Sequence, residues 1–129
     1  FKRVIFFCLL ALSCISLGGQ VAASKLVFRQ RSIDLGAVPL TQRDTNLTFY
    51  YKNAGSEALS IANMIPTCTC VEPSYSRDAL MPGDSCIFNV RLTFSHKGPF
   101  SQAITICYSS QGSSEVELIR VGIRGEVVD

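Results

Sequence analysis

The sequence predicts an all-β domain, a sandwich of two antiparallel sheets with about seven strands, preceded by a signal peptide. Three observations predict it. Cys86, Phe88, Val90, Leu92 and Phe94 alternate without error against Ile87, Asn89, Arg91, Thr93 and Ser95, the two-residue period of a half-buried antiparallel strand. Turn residues recur at roughly ten-residue spacing, and no long stretch has a helical period. The chain opens on a basic, then apolar, then small-residue segment unlike anything after it.

That opening segment is the first element. Lys2 and Arg3 precede the apolar run Val4 to Leu12, no acidic residue occurs before Asp34, and Val21-Ala22-Ala23 offers small residues to a signal peptidase. A membrane span needs roughly 20 predominantly apolar residues, whereas Ser13, Ser16, Gly18, Gly19 and Gln20 dilute this run. The expected division is therefore 1–23 as signal peptide and 24–129 as the domain. Ala11-Leu12-Ser13-Cys14 resembles a loose lipoprotein box, which would place a lipid anchor on Cys14; the segment's composition favours cleavage after Ala23. Both routes put the domain outside the cytoplasm, in the periplasm, the extracellular space or on the outer membrane. Neither leaves a membrane span in the mature chain.

Cleavage alters the charge balance. The whole chain carries 12 Lys plus Arg against 10 Asp plus Glu. Removing Lys2 and Arg3 leaves ten against ten, so the domain is formally neutral. Nothing indicates the clustered basic face a nucleic-acid partner requires.

Leu26-Val27-Phe28 and Ser32 to Leu35 read as a first, broken strand stopped by Gly36 and Pro39. Leu47, Phe49 and Tyr51 share the apolar face of the next. Asn53-Ala54-Gly55-Ser56 reads as a turn with positive φ at Gly55. A third strand runs from Leu59 to Ile65, followed by a short segment holding Cys68 and Cys70, then Pro73 and a loop. Leu80 to Asp84 is a turn, and the alternating strand from Cys86 follows it. After His96-Lys97-Gly98-Pro99, Phe100 to Tyr108 forms a strand with Ile104 and Ile106 inward. In the last strand, Val116 and Leu118 are out of phase with Ile119, Val121 and Ile123, which predicts a bulge near Leu118 or Ile119.

The landmarks, in order, are Ile33-Asp34-Leu35-Gly36, Asn53-Ala54-Gly55, Leu59-Ser60-Ile61 and Cys68-Thr69-Cys70. Then come Leu80-Met81-Pro82-Gly83-Asp84-Ser85, Gly98-Pro99-Phe100, Ile104-Thr105-Ile106 and Ile123-Arg124-Gly125-Glu126-Val127. From about Phe28 to Val127, this order resembles domain-of-unknown-function family 1573, exported Ig-like domains of Bacteroidetes related to the major-sperm-protein and PapD-type sandwiches. The resemblance implies an immunoglobulin-like fold and supplies no activity. The family usually has Gly where this chain has Thr69, and more often has other residues at Cys86 and Cys107.

Four cysteines follow the leader, and an oxidising compartment invites pairing. Cys86 faces the apolar side of its strand while Cys107 alternates with Ile106 and faces outward, so those two should not meet. Cys68 and Cys70, at i and i+2, would share one face. Three readings stay open: a disulfide between Cys68 and Cys70 or from one of them to Cys86; free thiols; or a soft-metal site for Cu or Zn. With strands in Ig order, the two loops carrying Cys68/Cys70 and His96 fall at one end, with Met64 nearby. A solvated His96 is the plainer reading, and no recognised zinc spacing occurs.

No catalytic motif is present, and a Cys70–His96 pair lacks an orienting third residue. Asp34, Asp44, Asp78 and Asp84 read as turn residues bonding backbone amides. Tyr50, Tyr75 and Tyr108 are candidate exposed binding residues. The expected function is a non-enzymatic binding or structural module of the bacterial envelope with an envelope or extracellular protein partner. The alternative is a soft-metal-binding or thiol-redox protein acting through Cys68-Thr69-Cys70. A sheet edge that adds a partner's strand is a third reading, from fold analogy alone.

Overall fold

Eight strands build the computed structural model, which describes residues 25–129. The leader, Cys14 and the cleavage site after Ala23 lie outside the described residues. The strands are β1 (Leu26–Phe28), β2 (Ser32–Pro39), β3 (Asp44–Asn53), β4 (Leu59–Pro66), β5 (Val71–Ser74), β6 (Ser85–Thr93), β7 (Gly98–Ser110) and β8 (Glu117–Val128). One sheet has the order β1-β3-β6-β5 and the other β2-β8-β7-β4. All pairs are antiparallel except β2 with β8, which run parallel.

The alternating segments behave as their pattern dictates. Phe49 pairs with Phe88 and Leu47 with Val90 across β3 and β6, and the Phe49 and Phe88 rings stack with centroids 4.9 Å apart. From the facing sheet, Ile104 and Ile106 are both 0% exposed and pack with Ile119, Val121 and Ile123. The turn Leu80–Asp84 is as expected: Asp84 N–H donates to the Met81 carbonyl at 3.0 Å, and Gly83 supplies φ +87° after Pro82.

Several expectations are corrected. The first strand is two strands in different sheets, and Gly36 does not stop β2, which ends at Pro39 as expected. Gly36, at φ +66°, takes up a bulge where pairing jumps from Asp34↔Arg124 to Ala37↔Glu126. Pro39 closes an edge strand, where a missing N–H does no harm. No bulge forms near Leu118 or Ile119: β7 and β8 pair without a break from Gly98↔Val127 to Tyr108↔Glu117. Val116 precedes the strand and Leu118 points outward, 65% exposed, so the apparent phase slip is two apolar residues left in solvent. The second bulge lies in β4, between Ile61 and Asn63, and lets Met64 return to the core. β5 is a strand despite Pro73, because it too is an edge. Gly55 does not have positive φ; its N–H donates to Asn53 Oδ1 at 2.9 Å instead. Tyr108 is buried rather than exposed.

Candidate functional site

At one end of the sandwich the chain leaves β4, crosses between the sheets and enters β5 through the turn Thr67 to Cys70. Both sheets hold this turn. Thr67 N–H donates to the Ala103 carbonyl at 2.9 Å, and Thr67 Oγ1 accepts from Ala103 N–H at 3.0 Å. On the other side, Thr93 N–H donates to the Cys70 carbonyl at 2.9 Å. Cys68 and Cys70 thus sit on a turn rather than a strand, and their sulfurs meet: the pair is within disulfide distance, with Cα atoms 5.1 Å apart. Among the described residues no residue other than Gly has positive φ, so Thr69 occupies ordinary backbone and this turn does not need the family's glycine.

The β6–β7 loop meets that turn, as Ig strand order predicts. Cys68, Cys70, His96, Lys97, Phe94 and Phe100 are among the residues lining one cavity of about 280 Å³. Phe94 and Phe100 lie with ring centroids 5.3 Å apart. His96 Nδ1 shares a hydrogen bond with Ser95 Oγ at 2.9 Å, and Lys97 Nζ pairs with Asp129 at 3.0 Å. His96 therefore reaches the cysteine cavity, but no group of three His, Cys, Asp or Glu side chains among the described residues is placed to hold a metal ion. Met64 faces the core beside Ile106 and does not line the cavity. Of the metal candidates Cys68, Cys70 and His96, the two sulfurs offer no thiolates to Cu or Zn while they are paired.

Cys86 and Cys107 carry free thiols. A bridge from Cys86 to the pair is corrected by distance along β6: Val71 lies opposite Leu92, six residues from Cys86, or about 20 Å at ~3.3 Å per residue, far beyond bridging range. Cys86 instead stands beside Tyr51. Burial, and then the hydrogen bond to that thiol, push the Tyr51 hydroxyl pKa well above its usual value. Cys107 lies opposite exposed Leu118 on the outer face.

Of the four aspartates, Asp34 bonds a backbone amide with its side chain, accepting from Gly36 N–H at 2.9 Å, and also pairs with Arg124 at 3.2 Å. Asp44 pairs with Arg91 at 2.9 Å. Tyr75 accepts from Arg77 at 3.1 Å and donates to Asn63 at 3.3 Å. Sequence reasoning singled out Tyr50 as exposed but overlooked the surface around it, on the outer face of β1, β3 and β6. There Val27, Tyr50 and Ile87 are 50%, 44% and 45% exposed, and the Arg29 guanidinium stands 4.2 Å from the Tyr50 ring centroid. The available signal was cross-strand: Tyr50 and Ile87 are direct partners in the register.

This strand order, with the chain's first stretch divided between two sheets, defines an Ig-like sandwich of the PapD and major-sperm-protein type. The chain belongs to the family described as protein of unknown function (DUF1573), whose profile matches residues 26–127. No protein of curated function matches in sequence. Among solved structures, the chain is similar to the VesB protease of Vibrio cholerae at 17% identity and TM-score 0.67, over 80% of this chain and 32% of that one. It is similar to the seventh PapD-like domain of human CEP192 at 13% and 0.63, covering 85% and 92%. It is also similar to the Caenorhabditis elegans sperm-protein family member WR4 at 9% and 0.59, covering 82% and 100%. The chain spans about a third of the length of the Vibrio protease it matches. These likenesses concern the fold. Among the described residues, no helix is long and apolar enough to cross a membrane.

Proposed function

We propose that the chain is an exported, non-enzymatic binding module of the bacterial envelope that recognises a protein partner. The observation that carries this reading is the outer-face patch of Val27, Tyr50 and Ile87 with Arg29 over the Tyr50 ring. Contiguous exposed apolar surface marks interaction sites, and Tyr and Arg are the residue types that dominate binding energy at protein interfaces. The PapD-type sandwich supports it as a rigid frame for such a surface, and the leader composition supports export.

The test is retention of envelope proteins on the immobilised domain, with Tyr50→Asp/Ile87→Asp as the control. A species held by the wild type and lost by the variant, with unchanged circular dichroism, is expected. The same species on both, or none on either, overturns the reading. Recovery of the product in the cytosol with its leader intact overturns the export half.

A further inference from the structure

Cys68 and Cys70 enclose a single residue, and a bridge between them has little to do as a staple. Cross-linking stabilises a fold mainly through the chain entropy it removes from the unfolded state, and that term shrinks with the loop enclosed. The turn is also held without it, through Thr67 to Ala103, Val71 to Cys68 and Thr93 to Cys70 at 2.9, 3.1 and 2.9 Å. The surroundings suit reaction instead. Both cysteines are half-buried and line a cavity together with His96, Phe94 and Phe100. Cys70 N–H donates to Cys68 Sγ at 3.1 Å. An amide donor favours thiolate over thiol, which makes Cys68 the better leaving sulfur.

We propose that Cys68 and Cys70 form a dithiol–disulfide exchange site that oxidises a pair of thiols in a protein partner. The partner's first thiolate attacks Cys70 Sγ, the Cys68–Cys70 bond breaks, and Cys68 leaves as a thiolate with the electron pair. The partner's second thiolate then attacks the partner sulfur of the mixed disulfide, and Cys70 leaves. The partner gives up two electrons and two protons and ends as a disulfide, while the domain takes them up and ends as a dithiol. A more oxidising protein disulfide resets the site by the reverse exchange. Phe94 and Phe100 give the cavity an apolar wall, which favours partner cysteines flanked by apolar residues. The proposal shares with the binding reading only its oxidising compartment.

The experiment uses the oxidised protein as purified from periplasm and a reduced synthetic peptide carrying two cysteines between Leu and Phe residues, followed by mass spectrometry without oxygen. The wild type is expected to oxidise the peptide at least about tenfold faster than Cys68→Ser/Cys70→Ser, with Cys86→Ser/Cys107→Ser at the wild-type rate. With oxidised peptide, Cys68→Ser is expected to accumulate a mixed disulfide at Cys70. Equal rates in the wild type and Cys68→Ser/Cys70→Ser, or adducts mapped to Cys86 or Cys107, overturn the proposal. If the double variant does not fold, acid-quenched wild-type reactions decide: an adduct at Cys70 supports the site, and none there refutes it. Because the protein is already purified, failure here leaves the binding and export reading standing.

Discussion

Asn53 is 0% exposed, yet none of its side-chain polar atoms is wasted. Its Nδ2 donates to the carbonyls of Glu57 and Leu80 at 2.9 and 2.8 Å, and its Oδ1 accepts from Gly55 N–H. One side chain thus ties the end of β3 to two loops. Asn53→Leu, which strands these buried groups, is expected to cost about 3 kcal/mol, read as a Tm fall of more than about 10 °C. Asn53→Asp should cost nearly as much, because it keeps the acceptor and loses both donors. A second residue sets the alkaline limit. Tyr51 has its pKa raised above the usual 10.0 by burial first and the Cys86 thiol second. The unfolded chain therefore ionises this hydroxyl before the folded one does. The stability tied to it is complete below about pH 10 and is lost as pH rises from there. Lys25, raised from 10.5 mainly by its hydrogen bond to Glu117, acts in the same direction. Urea melts between pH 9 and 12 are expected to show a shallower decline for Tyr51→Phe than for the wild type.

Among the elements, the parallel pairing of β2 with β8 depends on two glycines. Gly36 turns the bulge at φ +66°, and a Cβ at Gly125 would lie 2.9 Å from Phe100 Cζ and 3.0 Å from the Gly36 carbonyl oxygen. Gly36→Val is expected to cost about 1–2 kcal/mol through left-handed strain, and Gly125→Ala about 1–3 kcal/mol through overpacking. Because the two share one joint, the double variant should cost less than the sum in urea midpoints. Strand identity was readable wherever both faces were distinct, as in β3, β6 and β7. It failed at the edges. A Gly or Pro that would end a central strand is tolerated in β2 and β5, and sequence alone does not say which strands are edges. In β8 the exposed Leu118 looked like core out of phase, because hydrophobicity reports what a residue could bury and not whether anything faces it.

Across the whole molecule, the inner faces of both sheets meet in one apolar layer, so residues on opposite faces of the same pair of strands must differ sharply. Ile104→Ala, at a fully buried site, is expected to cost about 2–5 kcal/mol. Leu118→Ala, on the outer face, should stay within about 0.5 kcal/mol. Comparable losses at the two sites, measured by denaturant unfolding, would contradict the register. The meeting of the cysteine turn with His96 was legible because strand order fixes which loops share an end. The rest of the cavity was not, since Phe94 and Phe100 come together only through packing between sheets. The free thiols at Cys86 and Cys107 were separable by alternation alone. The outer-face patch was hidden because Val27, Tyr50 and Ile87 lie on three different strands.

The two ends of the described chain leave from opposite poles. Lys25 is held by Ser110 and Glu117, both at 3.0 Å, at the pole of the β7–β8 turn, whereas Asp129 is held by Lys97 beside the cysteine cavity. Anything fused ahead of Lys25, whether a surface tether or an affinity tag, therefore directs that cavity away from the attachment point. A tag joined after Asp129 instead crowds its mouth, so immobilised and free-solution assays of the cysteine pair should agree only when the handle is upstream.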